Sequence, residues 1–105
     1  ITPDQASALG YIASIMLDMI DRNAAEVFLV EGHTDGTGTR LHNLALSDRR
    51  AEAVAFALSE YFDVPPENLV TQGYGPDFPK IPTMAAEREN RRVAIRRIGP
   101  LLAGR

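Results

Sequence analysis

The chain contains no cysteine, which excludes a disulfide framework and any thiolate metal site and fits every redox compartment. It has no excess of positive charge. Eleven Lys and Arg stand against fourteen Asp and Glu, a formal net charge of −3, which argues against a general nucleic-acid binder. It has no apolar run fit to cross a bilayer. The longest window, ALGYIASIMLDMI, is interrupted by Asp18 and falls short of the ~20 residues a spanning helix needs. No signal-peptide pattern is visible, and the chain opens at Ile1 rather than Met, so a fragment or processed piece is expected. There is no internal repeat, linker or low-complexity segment.

What is present suits one globular domain. The 105 residues are 45% hydrophobic, enough for a real core though not a large one. Thr2, Pro3 and Gln5 form a helix-start signal of N-cap, first-position proline and capping box. Leu9, Ile12, Ala13, Met16, Leu17 and Ile20 then recur at helical spacing until Asp21-Arg22-Asn23. VFLV (27–30) is apolar on both faces, which predicts a central strand in a covered, largely parallel sheet. A loop rich in Gly and Thr follows, with Asn43 as the expected N-cap of a second helix over about 44–62. The prolines of DVPPEN mark a turn. Further elements are a strand over 69–75, a short polar helix over 84–91 and a last strand in RVAIRRI. The order α-β-α-β-α-β predicts an α/β or α+β sandwich with helices packed on a small sheet. A first strand before Ile1 is expected to be missing. The domain is set at 1–98 and a poorly ordered C-terminal tail at 99–105.

The exit of the first strand carries residues that do not belong in a core. Glu31, His33 and Asp35 share one side of a regular strand, and Asp35 lies at the carboxyl end, where ligands of α/β sheets sit. Asp before Gly is also an ordinary turn residue. Along the second helix the apolar stripe reads Leu46, Ala51, Val54, Leu58 and Tyr61, and Arg50 falls on or beside it while Arg49 points away. Arginine is seldom buried without a partner. Asp35 and Arg50 thus form either a plain ion pair or a receptor for a zwitterion, Asp35 taking the ammonium and Arg50 the carboxylate.

Four separated motifs, VEGHTDGTG, NLALSDRRAEAV, LVTQGYG and NRRVAI, stand in the order of a known family. Over about residues 5–98 the chain resembles the OmpA-like peptidoglycan-binding domain. The resemblance implies a βαβαβ-type fold with helices on a small mixed sheet. It implies a non-enzymatic grip on the meso-diaminopimelate of the peptidoglycan stem peptide, with no cofactor and no metal. The family's aspartate and arginine fall on Asp35 and Arg50. Thr34, Asn43 and Arg91 match further ligand-site positions, Arg91 being preferred over Arg92. Gly32, Gly36 and Gly38 are expected to allow tight turns and close backbone approach, with His33 bracing the loop by hydrogen bonds. Glu31 is expected to be solvated or helix-facing. The implied setting is the periplasm of a Gram-negative bacterium, with any membrane attachment through another part of the protein and a homodimer left open. The chain departs from the family between the Pro-rich loop and Asn90, where PKIPTMAAEREN is short and lacks the usual Asn and Gly.

Three other readings compete. His33 and Asp35, with His42 or Glu31, would make a metallohydrolase, but a catalytic zinc needs three well-placed ligands and His42 has no matching spacing. Arg88, Arg91, Arg92, Arg96 and Arg97 would make a phosphate footprint, but strand alternation sends Arg96 and Arg97 to opposite faces. The third is an interaction domain in which an Asp35–Arg50 pair serves stability alone.

Overall fold

The computed structural model describes residues 2–99. Helix α1 (Pro3–Arg22) begins with both halves of the capping box: the Gln5 amide donates to Thr2 Oγ1 at 3.2 Å and the Thr2 amide to Gln5 Oε1 at 3.0 Å. Its core face carries Ala13 and Met16, with Leu9, Ile12 and Ile20 packed around them. Strand β1 (Phe28–His33) follows.

Helix α2 (Arg40–Phe62) starts four residues earlier than Asn43 as N-cap would set it. Thr39 is the N-cap, its hydroxyl accepting the His42 amide at 3.2 Å. Asn43 cannot cap because its side chain is already committed to the loop. The helix ends at Asp63 in the left-handed conformation, after which the Val64 amide returns to the Leu58 carbonyl at 3.1 Å. A single 3-10 turn (Pro66–Asn68) leads into β2 (Leu69–Gly73).

The helix expected over 84–91 is not formed. A 3-10 turn (Arg88–Asn90) is all that the segment contains before β3 (Arg92–Arg97). No apolar stripe was available to hold a helix there. Instead Asn90, fully buried, clasps Ile81 at two points: Ile81 N donates to Asn90 Oδ1 at 2.8 Å and Asn90 Nδ2 to the Ile81 carbonyl at 2.9 Å. That clasp closes the short loop on itself.

The three strands run in the order β2-β1-β3, parallel between β1 and β2 and antiparallel between β1 and β3. β1 is central, as its apolar character predicts, but the sheet is mixed rather than largely parallel. Phe28 and Val30 point to the helices and form one core with Met16, Ala51, Leu58 and Val64. Val93 and Ile95 join them from β3, since Gly32 lies opposite Val93 and Val30 opposite Ile95. Among the described residues no strand pairs with the outer edge of β3. An apolar groove lined by Leu9, Ile12, Met16, Val93 and Ile95 runs beside it.

The other face of the sheet holds a buried polar group. Glu31 is neither solvated nor helix-facing: it is buried away from the helices, 3.0 Å from His33 Nε2. Arg96 Nη2 lies 2.6 Å from Glu31 Oε2, an ion contact whose angles fall outside those of a hydrogen bond. A carboxylate in that position stays only because a cation meets it. His33 stacks on Tyr74 at 5.5 Å, and Tyr74 meets the edge of Phe78.

Candidate functional site

Two glycines placed opposite each other shape the carboxyl end of the sheet. Gly32 of β1 pairs with Gly73 of β2, and a Cβ on Gly32 would stand 2.0 Å from the Ser47 carbonyl oxygen of α2. A Cβ on Gly73 would stand 2.4 Å from the Asp48 amide. The bare backbone therefore lets α2 descend onto the sheet. There Asp48 Oδ1 accepts the Gly73 amide at 2.6 Å and Ser47 Oγ the Gly75 amide at 2.9 Å. The parallel ladder extends past the strands, Tyr74 N to Gly32 O at 3.0 Å and Thr34 N to Gly75 O at 2.9 Å. The exits of β1 and β2 are thereby fixed to each other and to the start of α2.

Asp35 emerges from this frame with every bond accounted for. Its Oδ1 accepts the Thr37 hydroxyl and the Thr37 amide, the latter at 3.1 Å, in an Asx-type turn. Its Oδ2 meets Arg91 Nη1 at 2.6 Å. The Thr37 hydroxyl foremost, then Arg91 and the Thr37 amide, hold the carboxyl at about 2, below its usual 3.8. Asp35 is therefore a carboxylate at any physiological pH.

The predicted site residues divide into two groups. Thr34 and Asn43 are buried, with side chains turned to backbone rather than outward. The Thr34 hydroxyl donates to the Asp35 carbonyl at 3.0 Å, and Asn43 Nδ2 donates to the Thr37 carbonyl at 2.7 Å. Both were expected at a ligand; here they supply donors to the loop's own buried carbonyls. Gly36 admits the opposite wall, since its Cβ would stand 2.4 Å from the Met84 carbonyl oxygen. His33 braces the strand through Glu31.

Arg50 and Arg91 form the second group. Both line a cavity of about 400 Å³ with Ala53, Val54, Arg92 and Val93. Arg50 is not on the core stripe. The buried line of α2 runs through Asn43, Ser47, Ala51 and Leu58, which leaves Arg50 exposed on its shoulder and Tyr61 outside it. Small residues at 47 and 51 let the helix sit close, so the sheet meets those positions rather than the larger Leu46. The Asp35–Arg50 ion pair is not formed; among the described residues Arg50 has no ionic partner, and Asp35 pairs with Arg91. Sequence reasoning placed Arg91 near the ligand but missed it as the partner of Asp35, and missed Thr37 altogether. Thr37 was legible, because Asp-Gly-Thr is an Asx-turn pattern. A second unforeseen contact, Arg40 forked onto Asp77 at 3.0 and 2.7 Å, pins the loop after β2 to the first turn of α2. Among the described residues no three His, Cys, Asp or Glu side chains converge to hold a metal.

An α+β sandwich with two helices on one sheet face and a carboxylate-arginine cleft at the carboxyl end of the central strand is the architecture so defined. The chain belongs to the OmpA family, whose model matches residues 1–93. It is 39% identical to the outer-membrane lipoprotein YfiB of Pseudomonas aeruginosa over 98 residues, 90% of this chain and 55% of that protein. It is 37% identical to the peptidoglycan-associated lipoprotein of the same organism over 79 residues, 72% of this chain and 46% of that protein. The chain thus spans about half the length of the curated relatives it matches. The crystal structure of the Helicobacter pylori MotB C-terminal domain superposes with a TM-score of 0.76 at 30% identity, covering 90% of this chain and 72% of that one. The peptidoglycan-associated lipoprotein of Burkholderia pseudomallei gives 0.74 at 26% identity, covering 92% and 80%.

Proposed function

We propose that this domain holds peptidoglycan without cutting it, by gripping the diaminopimelate of the stem peptide, and so ties an envelope protein to the cell wall in the periplasm of a Gram-negative bacterium. The observation that carries this reading is an Asp35 held as a carboxylate at physiological pH beside a cavity walled by two arginines, Arg50 and Arg91, of which Arg50 has no ionic partner among the described residues. A carboxylate and an unpaired guanidinium beside one cavity match a ligand centre with an ammonium and a carboxylate. Relatives named as a peptidoglycan-associated lipoprotein and as an outer-membrane lipoprotein support the same setting. Asp35 takes the ammonium, Arg50 the carboxylate, and Thr34, Asn43 and Thr37 keep the aspartate aimed.

Ligand choice tests it. A stem peptide with lysine offers the ammonium alone and leaves the arginine donors without a carboxylate. An unmade charge-assisted bond costs about 1.5–3 kcal/mol, so calorimetry is expected to show at least roughly tenfold weaker binding of the lysine peptide. Equal affinities would refute the two-point receptor. Incubation with purified sacculi is expected to release no soluble fragments.

A further inference from the structure

We propose that Arg91 is the selectivity gate of this site: it occupies the carboxylate that an ammonium ligand needs, and only a ligand with its own carboxylate re-houses it. The inference rests on the diaminopimelate reading above and assigns the discrimination to one residue. Asp35 Oδ1 is saturated by two donors from Thr37. Oδ2 carries Arg91. The Asp35 side chain is 7% exposed against 42% for Arg91, and Asp35 is not on the wall of the cavity that Arg91 lines. An ammonium arriving through that cavity therefore meets Arg91 first and reaches Asp35 only by displacing it.

The displaced guanidinium has somewhere to go. Only Nη1 is used in the ligand-free protein; among the described residues Nε and Nη2 have no partner. A planar fork with free donors facing a cavity is suited to two-point capture of a carboxylate. A zwitterion whose carboxylate is shared by Arg50 and Arg91 thus exchanges one ion pair for three, while a simple amine exchanges one for one and strands Arg91. Selectivity arises from a penalty imposed on the wrong ligand as well as from contacts to the right one. Asn90 keeps the pivot in place, because its two-point clasp on Ile81 fixes the backbone immediately before Arg91.

The test is calorimetry of the parent protein and Arg91→Gln with two soluble stem peptides, one ending in diaminopimelate and one in lysine. The parent is expected to prefer diaminopimelate. Arg91→Gln is expected to bind the lysine peptide roughly tenfold more tightly than the parent does, with little gain for diaminopimelate, so that the preference collapses. Equal weakening of both peptides would make Arg91 a structural tie and overturn the gate. An unchanged affinity for the lysine peptide would overturn it too. A crystal structure of the parent with the diaminopimelate peptide supplies the second measurement, independent of whether the variant folds. Arg91 must then stand on the ligand carboxylate, and an intact Asp35–Arg91 contact would refute the exchange. A parent that binds neither peptide sinks the functional reading itself, whereas a selective parent with an equally selective variant sinks only the gate.

Discussion

The central strand carries a carboxylate just outside each end, and an arginine from the β3 side meets each one. At the amino end Glu26 pairs with Arg97 at 2.7 Å; at the carboxyl end Asp35 pairs with Arg91 at 2.6 Å. Antiparallel pairing of β1 with β3 puts the two pairs at opposite ends of one ladder. Their surroundings differ. Around Glu26, Asn68 Nδ2 ties the Ala24 and Glu26 carbonyls at 3.0 and 2.7 Å, and the Ile98 and Gly99 amides both return to the Val27 carbonyl. Asn68 comes from the turn before β2, so its side chain joins that turn to the segment leading into β1. Around Asp35 the frame is as firm on the loop side and the arginine is about as exposed as Arg97, but it opens on a cavity shared with a second arginine, Arg50. One pair closes the fold and the other waits to be opened. Similar distances therefore say little about role; what lies beside each arginine says more.

The contrast can be broken first at Asp35. Asp35→Ala is expected to abolish sacculus binding while the domain stays folded, read by pull-down and circular dichroism; normal binding would remove Asp35 from the site. The mirror experiment is Arg97→Ala. It leaves Glu26 buried with its charge unmet, and its other oxygen, Oε1, already lacks a hydrogen-bond partner among the described residues. Breaking a buried pair costs about 3–5 kcal/mol, and because Arg97 is half exposed about 2 kcal/mol is expected, a fall on the order of 10 °C in Tm. Sacculus binding at low temperature should persist. A variant that melts like the parent would deny Glu26–Arg97 its structural role.

Arg50 sharpens the comparison on the other side. It is exposed and has no ionic partner among the described residues, so Arg50→Leu is expected to lose binding yet melt within about 2 °C of the parent, surface changes lying within about 0.5 kcal/mol. Arg50→Lys should bind poorly as well, because a point charge does not replace a planar fork. A large drop in Tm for Arg50→Leu would return the residue to the fold.

The smallest effect is in acid. Asp35 is held at about 2 in the folded protein against the usual 3.8. The unfolded chain takes up this proton first as pH falls. The contribution of Asp35 to stability is therefore complete above roughly pH 4 and is lost on descending to pH 2. Comparing Tm of the parent and Asp35→Asn across that window should show the parent's advantage shrinking as pH falls. A constant difference would mean that the Thr37 and Arg91 bonds do not hold the carboxylate.

Local signals carried the first two helices and the three strands in their order, the capping box at Thr2 and Gln5 and the central place of β1, since each depends on neighbours within a turn or on strand alternation. The second helix was misjudged at its start because Thr39 and Asn43 are equally good caps in isolation; only the loop's need for a donor at the Thr37 carbonyl decides between them. Its buried line was misjudged because size alone favours Leu46 over Ser47, whereas Gly32 and Gly73 on another element bring the backbone to Ser47. The partners of the charges were decided by tertiary structure alone. Asp35 lies 56 residues from Arg91 and Glu26 lies 71 from Arg97. No periodicity links residues so far apart; the antiparallel register of β1 and β3 brings them together. The amino-acid sequence determined which residues were out of place in a core, because burial of charge is unfavourable wherever it occurs. Which charge answers which depends on how strands pair across the sheet, and that is settled only when the chain has folded.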